Sequence, residues 1–326
     1  AALKNDTGYI AAIERHWDDV VHRNMYITVG IGSSRDNEGF TEDYDLPNLD
    51  AYCETCASVG MVLWNQRMNQ LTGDSKNIDV LERSLYNGAL AGISLGGGRY
   101  YLVNPLESKG DHLSPEWYGY ALCNGFLPSI GNYIYASSND ALWVNLYIGN
   151  TGQIRIGETD ILLKQETNYP WDGLVKLTIS TSQPLEKEIR LRIPDWCKTY
   201  DLSINGKKIK VPKEKGYAVI KDWKSQDVIA LDMDMPVEIV AADPHVKENI
   251  GKRAIQRGPL VYCMEEIDNP EYFDQIQLSP STTFQTAFVS DILNGIKTIK
   301  TNGRAQSATF ITYYARHSSK AGKMRV

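Results

Sequence analysis

Apolar residues in the first part of the chain recur at steps of three and four, the spacing of one face of an α-helix. This pattern predicts helices over residues 6–24, 54–71 and 75–91, with a shorter helical segment over residues 126–135. Asp6 or Thr7 is a suitable N-cap for the first helix, and Gly73 separates the second helix from the third. Four helical segments joined by long loops suit part of a helical barrel, whose active residues lie on the loops at one end.

From about residue 141, apolar and polar residues alternate with a period of two, which is typical of half-buried strands. The alternating stretches are "ALWVNLYIG", "LVKLTIST", "EIRLRIP", "YAVIKDW" and "VIALDMDMPVEIV", followed by "TFQTAF" and "SATFITYYA". Asn205-Gly206 lies between two alternating arms and predicts a β-hairpin. Short strands separated by turn signals at intervals of about 8–12 residues indicate a β-sandwich.

The change of period predicts an α + β multidomain chain. We expect a helical domain over residues 1–137 and an antiparallel β-sandwich over residues 138–245. Residues 246–326 would form a second β-sandwich or complete the first. A chain of 326 residues is long enough for two or more domains with ordinary cores.

Composition and charge exclude several classes of partner. With 34 basic and 40 acidic residues the net charge is −6, and no basic run is present, so we expect no nucleic acid and no membrane as partners. The 7 Trp and 19 Tyr suit a carbohydrate ligand, but such rings are as often part of a core. The chain begins with neither an initiator Met nor the apolar region of a signal peptide. We therefore expect a segment of a longer protein, and its compartment stays open.

The stretch "YCETCAS" (residues 52–58) has two cysteines three residues apart with a glutamate between them. A thioredoxin-like redox pair would need a preceding strand and a βαβ context, which the pattern does not provide. Two alternatives remain. The cysteines pack as small buried residues at the start of a helix, or Glu54 and Cys56 bind a metal ion, with Cys123 as the third ligand.

An acidic, glycine-rich stretch, "YITVGIGSSRDNEGFTEDYDLP", precedes this motif. It lacks the pattern of a phosphate-binding loop, and any single acid in it could be an ordinary solvated residue. An acid close to a metal–thiolate site would nevertheless support acid–base and nucleophilic chemistry.

Several motifs together resemble glycoside hydrolase family 127, the β-L-arabinofuranosidase-like enzymes. In chain order they are "MYITVGIGSS", "FTEDYDLPN", "ETCAS", "ERSLYNGALAGISL", "SPEWYGYA", "LPSIGNYIYA", "RIPDW" and "IQRGPLVYC". The resemblance implies an (α/α)6 barrel followed by β-sandwich modules. Because members are roughly twice as long, this chain would correspond to the C-terminal half of the barrel plus the sandwiches.

The resemblance also implies a retaining mechanism with a zinc-bound cysteine thiolate as nucleophile and a glutamate as acid/base. Zinc (Zn²⁺) keeps a thiol deprotonated at neutral pH, and a glutamic acid can protonate the leaving oxygen and then deprotonate the water. In a retaining geometry the two groups lie roughly 5–5.5 Å apart. Carried over by motif, Glu38 is the acid/base, Glu54 and Cys56 are zinc ligands, and Glu82 contacts the sugar. For Glu82, a surface ion pair with Arg83 is the competing interpretation.

The region of Cys123 departs from the family pattern of two adjacent cysteines. Here "ALCNG" (residues 121–125) has one cysteine, and Leu122 takes the place of the nucleophile. Either part of the loop is absent, or Cys123 serves as the nucleophile as well as a zinc ligand, or the site is degenerate. Cys53 could be a substitute ligand. We expect Cys197 and Cys263 to be core residues.

The resulting expectation is a glycosidase that releases L-arabinofuranose, or a related sugar, from plant glycans. A catalytically inactive carbohydrate-binding remnant is the alternative, and a sugar lyase or epimerase using Tyr or His is a weaker one. The expected partners are the carbohydrate and either the missing N-terminal half of the barrel or a second copy. Half a barrel exposes apolar helix faces, so this segment alone should be poorly soluble or should pair.

Overall fold

The computed structural model describes residues 6–110, 125–182, 186–271, 273–301, 307–316 and 322–326. They form two compact units, each assembled from separate stretches of the chain. Unit 1 takes its residues from 1–62, 83–124 and 237–326, and unit 2 from 63–82 and 125–236. Each unit therefore combines helical residues from the first part of the chain with strands of one or two sheets.

Three longer helices lie in the first third of the chain, as the spacing of apolar residues predicts. They are α1 (Thr7–Arg23), α2 (Thr55–Thr72) and α3 (Ser75–Ser84). Asp6 caps α1, because its carboxylate accepts hydrogen bonds from the backbone N–H groups of Gly8 and Tyr9 at 2.9 and 3.3 Å. A π-helical turn (Leu85–Ala89) and a 3-10 turn (Leu90–Gly92) extend α3, so the third predicted helix is also confirmed close to its predicted end.

The fourth predicted helical segment is confirmed as short pieces rather than one continuous helix. Phe126 is helical, and a 3-10 turn (Leu127–Ser129) and a short helix, α4 (Gly131–Ile134), follow it. Tyr135 already begins a strand. Pro128 has no N–H group for a helical hydrogen bond, which favours a short turn over a continuous helix here.

The described residues contain nineteen strands, most of them short. They are β1 (Glu107–Lys109), β2 (Tyr135–Ser137), β3 (Ala141–Val144), β4 (Asn150–Ile156), β5 (Thr159–Thr167), β6 (Leu174–Thr181), β7 (Glu188–Arg192), β8 (Tyr200–Ile204), β9 (Lys207–Lys208), β10 (Lys213–Glu214), β11 (Tyr217–Ile220), β12 (Val228–Met233), β13 (Val237–Val240), β14 (Ala254–Arg257), β15 (Leu260–Glu265), β16 (Phe284–Val289), β17 (Ile296–Thr301), β18 (Thr309–Thr312) and β19 (Lys323–Arg325). The remaining 3-10 turns are Lys247–Asn249, Glu266–Asp268 and Tyr313–Ala315.

Unit 2 contains two sheets. Six strands pair in the order β4-β5-β6-β12-β8-β9, and five pair in the order β10-β11-β7-β3-β2. Alternate residues of β5 and β6 are buried, so the six-stranded sheet has one face in the core. The predicted hairpin is confirmed: Ile204 pairs with Lys207, and Asn205 and Gly206 between them have φ of 50° and 78°.

One pairing in unit 2 differs from the antiparallel arrangement expected from the sequence. Strand β3 runs parallel to β7, and Ala141 pairs with Glu188. Parallel neighbours need a long crossover, which β4, β5 and β6 provide here. The predicted boundary near residues 137–139 lies in the turn between β2 and β3, which are paired.

Unit 1 contains an eight-stranded antiparallel sheet in which β15 pairs with three others, β14, β18 and β19. All six residues of β15 are buried. A cluster of buried side chains joins this unit's N-terminal loops to residues of its C-terminal stretch: Tyr26, Leu46, Ala51, Cys53, Leu106 and Val246. None of the described helices has the length and apolar character needed to cross a membrane.

Candidate active site

Glu38, the predicted acid/base, lies at the tip of a short loop in unit 1. Ser34 and Gly39 close the loop with two backbone hydrogen bonds of 3.2 and 3.3 Å. The Asn37 side chain accepts a hydrogen bond from the Gly39 N–H at 3.1 Å and donates one to the carbonyl of Phe40 at 3.0 Å. Glu38 itself has a φ of 49°, a left-handed conformation that is uncommon outside glycine. Its side chain is exposed on a turn whose backbone is held on both sides.

Glu54 and Cys56, the predicted metal ligands, flank the first residue of α2. Glu54 forms an isolated bridge with Val103, and the helix begins at Thr55. Thr55 is buried, and its hydroxyl donates a 2.6 Å hydrogen bond to the carbonyl of Tyr101. Both predicted ligands are half-buried. The irregular first turn, rather than a regular helix face, therefore sets the directions of the two side chains.

Asn104 fixes this helix start from the opposite side. Its amide donates to the carbonyl of Cys53 at 3.1 Å and to the hydroxyl of Thr55 at 2.9 Å. Its carbonyl accepts a 2.8 Å hydrogen bond from Arg316, whose guanidinium lies 4.4 Å from the ring centroid of Tyr313. All five residues belong to unit 1. The C-terminal stretch of the chain thus helps to hold the turn that carries Glu54 and Cys56.

Cys53 is a core residue, whereas Cys56 is half-buried. Cys53 is almost fully buried beside Tyr26, and burial raises the pKa of its thiol well above the ordinary value. It also lies before the helix begins and has a φ of 39°. A Cβ atom on Gly30 would lie 2.9 Å from the Cys53 sulfur, so the thiol has no room on that side. These features do not suit a redox pair, which needs an accessible thiolate.

Tyr52 links two of the predicted site carboxylates. Burial raises the pKa of its hydroxyl to about 12, and Glu54 and Glu38 add to this through their charges and through side-chain hydrogen bonding. One phenol therefore interacts with the predicted acid/base and with a predicted metal ligand. The structure brings Glu38 and Glu54 together around this hydroxyl, although sixteen positions separate them in the chain.

Glu82, the predicted sugar contact, lies in unit 2 and is almost fully buried, at 1% exposure. Its Oε1 accepts hydrogen bonds from Nη2 of Arg192 at 2.6 Å and from the hydroxyl of Tyr169 at 2.8 Å. The competing interpretation, a surface ion pair with Arg83, is wrong because the carboxylate is buried and its cation is Arg192. Contact with a sugar stays a prediction.

Two carboxylates share the Arg192 guanidinium. Nη1 donates to Oδ1 of Asp79 at 2.7 Å, and Nε donates to the backbone carbonyl of Asn145 at 2.6 Å. Burial raises the pKa of Asp79 to about 7 and raises that of Glu82, while the charge of Arg192 acts in the opposite direction. One guanidinium cannot neutralise two ionised carboxylates, so the cluster favours holding one proton at neutral pH.

Cys123, the predicted third ligand and nucleophile, lies outside the described residues. In the part of the chain that the structure describes, no three His, Cys, Asp or Glu side chains are grouped so that they could hold a metal ion. The predicted zinc site therefore stays a prediction. Cys197 and Cys263 are buried, as expected for core residues.

The sequence interpretation assigned no role to Tyr52, Asn104 or Arg192. Tyr52 lies two positions before Glu54 in the same motif, and this closeness to a candidate ligand is the one sequence feature that points to a role for Tyr52 in the site. Arg192 ends an alternating strand, where a charged residue usually faces solvent. Only the fold reveals that this arginine is fully buried.

Comparison with known sequences identifies the class of protein. Sequence models of three domains match consecutive parts of the chain: the β-L-arabinofuranosidase GH127 catalytic domain over residues 1–130, the GH127 middle domain over residues 141–235, and the glycoside hydrolase family 127 C-terminal domain over residues 237–326. The chain belongs to glycoside hydrolase family 127.

Individual relatives agree with this assignment. The chain is 38% identical over 323 residues to the non-reducing end β-L-arabinofuranosidase of Bifidobacterium longum, covering 91% of this chain and 48% of that protein. The crystal structure of a GH127 β-L-arabinofuranosidase from Geobacillus stearothermophilus T6 superposes with a TM-score of 0.89 at 39% identity, over 95% of this chain and 55% of that one. The structure of a further GH127 β-arabinofuranosidase superposes with a TM-score of 0.93 at 38% identity, over 100% of this chain and 57% of that one. The chain thus spans about half the length of these relatives.

Proposed function

We propose that this chain is part of a retaining glycoside hydrolase that releases terminal L-arabinofuranose, or a closely related sugar, from plant glycans. The observation that carries the proposal is the interaction of Tyr52 with both Glu38 and Glu54. It brings the carboxyl group assigned as acid/base next to one assigned as a metal ligand, within the stretch that matches the family's catalytic domain.

Glu38 acts as the acid/base in this proposal. Its position on an exposed, backbone-anchored turn suits a group that must reach the glycosidic oxygen and later a water molecule. The residue first donates its proton to the leaving oxygen and then accepts one from the water. Rigid support on both sides of the turn limits the cost of orienting the carboxyl group.

The donor types at the start of α2 fit zinc. Glu54 supplies carboxylate oxygens, Cys56 supplies a sulfur, and both side chains are half-buried. Cys123 would add a further sulfur and would also be the attacking group. When bound, zinc would supply a lowered thiol pKa at neutral pH. Thr55 and Asn104 would not bind the metal. Their hydrogen bonds hold the turn that carries Glu54 and Cys56.

The helices of the chain would form part of an (α/α)6 barrel. The apolar stripe of α1 supports this, because among α1 residues only Trp17 is buried, while Ile10, Ile13 and Val20 stay partly exposed. A helix with an apolar face needs a further element to cover it. We expect that element to be another helix of the barrel, from the missing N-terminal half or from a second copy.

A catalytically inactive carbohydrate-binding protein is the second candidate. The observation in its favour is Leu122, which occupies the place of one of the two adjacent family cysteines. Leucine can neither bind zinc nor attack an anomeric carbon.

Hydrolysis of an aryl β-L-arabinofuranoside tests the proposal directly. We expect the protein to turn it over, and Glu38→Gln to lower kcat/KM by at least about 100-fold, the range of a lost general acid–base group. Glu42→Gln, an exposed acid in the same stretch, is the matched control and should retain its activity. Elemental analysis should find about one zinc per chain. Equal activity of Glu38→Gln and the control would refute the acid/base assignment. Sugar binding without turnover in the unaltered protein would favour the second candidate.

A further inference from the structure

Arg83 has no carboxylate partner in the part of the chain that the structure describes. Glu82, its neighbour in the chain, pairs with Arg192 instead. Nη2 of Arg83 donates a 3.0 Å hydrogen bond to the backbone carbonyl of Ile27, and Nε is buried with no acceptor among the described residues. The side chain as a whole is half-buried. A guanidinium that has lost part of its hydration without gaining a counter-charge favours the binding of an anion.

A cavity of about 240 Å³ lies beside Arg83, and all its lining residues belong to unit 1. Part of its wall comes from the buried cluster of this unit, through Tyr26, Leu46, Leu106 and Val246. Other lining residues, such as Ala242, are exposed, so the cavity opens to solvent. A cavity of about 150 Å³ is enough to hold benzene. This one therefore has room for a six-membered ring that carries a small polar group.

Arg253 is a second guanidinium on the wall of this cavity. It is exposed, and its Nη1 donates a 2.7 Å hydrogen bond to the backbone carbonyl of Lys252. Like Arg83, it forms no ion pair with any residue that the structure describes. The planar guanidinium group matches the geometry of a carboxylate better than an ammonium group does.

The other charged groups on the wall already have partners. Arg23 pairs with two aspartates, at 2.9 and 3.3 Å, and Nζ of Lys252 lies 3.5 Å from a carboxylate oxygen of Glu107. The carboxylate of Asp243 lies 2.7 Å from Nδ1 of His245 and accepts a 2.9 Å hydrogen bond from the backbone N–H of the same residue. The charge that lacks a partner on this wall, among the described residues, is therefore positive.

We propose that this cavity binds a small organic acid with an apolar ring. The carboxylate of the ligand pairs with Arg83, Arg253 adds to the positive field, and the ring packs against Tyr26 and Leu46. Inorganic phosphate or sulfate would leave the apolar wall uncovered, so a carboxylate attached to a ring fits the lining better.

The cavity is separate from the candidate active site. Glu38, Tyr52, Glu54 and Cys56 are all absent from the described residues that line it. The inference therefore goes beyond the proposed function and does not depend on it, because binding is measured without turnover.

The test uses benzoate as the probe and benzamide as its uncharged counterpart of nearly the same shape. In calorimetric titrations at low salt we expect saturable binding of benzoate, with a Kd of about 1 mM or lower for a ligand of this size. Benzamide should bind at least about 10-fold more weakly, as for the loss of a charge-assisted hydrogen bond. Absence of saturable benzoate binding, or equal affinity for the two probes, would overturn the proposal.

Arg83→Met should weaken benzoate binding at least about 10-fold and change benzamide binding little. Arg15→Met is the matched control, because Arg15 is an exposed arginine of the same unit that does not line the cavity. It should bind benzoate like the unaltered protein. Equal benzoate affinity of the two variants would show that Arg83 is not the anchor and would overturn the proposal.

A change at the exposed Arg253 keeps the test decisive if Arg83→Met does not fold. Arg253→Glu reverses a charge at the solvent side of the cavity and leaves the buried cluster intact. It should weaken benzoate binding at least about 3-fold at low salt, with less effect at high salt because ions screen an exposed charge. Unchanged benzoate binding by Arg253→Glu would overturn the proposal.

Discussion

A Cβ atom on Gly92 would lie 2.3 Å from both Oγ1 and Cγ2 of Thr55. The turn that ends the α3 stretch therefore packs directly against the first residue of α2. Only a residue without a side chain fits at this point. Because Glu54 and Cys56 flank Thr55, the contact also constrains the turn that carries them.

Gly92→Ala should destabilise the protein and disturb this turn. The added methyl group must displace a buried threonine, and overpacking of this kind costs about 1–3 kcal/mol. Chemical denaturation with urea measures the loss. The control is Gly60→Ala on α2, where a Cβ atom meets nothing within 4 Å. Alanine there should be neutral or stabilise by up to about 1 kcal/mol. Equal effects of the two substitutions would contradict the close packing.

Arg192→Met should cost about 3 kcal/mol or more of unfolding free energy. The substitution keeps a long side chain but leaves the Asp79 and Glu82 carboxylates buried without their cation. Arg155→Met is the control, because Arg155 pairs with Glu158 on the exposed surface of the same unit. Exposed pairs contribute little, so its midpoint of urea unfolding should hardly change. A small effect at Arg192 would show that the carboxylates find other partners.

The buried cluster also predicts how stability depends on pH. Burial raises the pKa of Asp79 from 3.8 to about 7 in the folded protein. Between about pH 4 and 7 the folded state therefore keeps a proton on Asp79 that the unfolded state has already released. The stability associated with this proton is complete below about pH 4 and is lost as the pH rises toward 7, by up to about 1 kcal/mol per pH unit.

Asp79→Asn should remove this contribution, because the amide keeps an acceptor for Arg192 but does not titrate. As the pH rises from 5 to 7, the variant should lose less stability than the unaltered protein. This range lies between the pKa of Asp79 in the unfolded state, 3.8, and its pKa in the folded state, about 7. Urea unfolding at several pH values measures the difference. Parallel curves for the two proteins would mean that Asp79 is ionised throughout.

Tyr52→Phe should lower kcat/KM on an aryl β-L-arabinofuranoside by about 10-fold. The substitution removes the hydroxyl that interacts with Glu38 and Glu54, and a hydrogen bond to a charged group is worth about 1.5 kcal/mol or more. Tyr26→Phe is the control, since Tyr26 is buried in the same unit and its hydroxyl donates to the carbonyl of Pro47. It should affect stability and leave turnover close to normal. Equal turnover in both variants would remove Tyr52 from the proposed active site.

Local elements were predictable where neighbouring residues specify them. The capping aspartate and the apolar spacing place α1 within one residue at each end, and Asn205-Gly206 marks its hairpin. The segment near Pro128 is helical as predicted, but it is divided into a 3-10 turn and a short helix, because proline lacks the N–H group that a continuous helix needs. Pairing partners such as β3 with β7 depend on the path of the whole chain, which local patterns do not contain.

The sequence by itself determined the family, the order of helices and strands, and the identity of Glu38, Glu54, Cys56, Cys123 and Glu82 as candidate residues, because these are carried by local patterns and short motifs. Only the tertiary structure decided which of the described candidates meet. It placed Glu38 and Glu54 around Tyr52 and buried Glu82 against Arg192. The physical reason is that burial, and the pKa shifts and ion pairs that follow from it, arise from residues distant in the chain and brought together by packing.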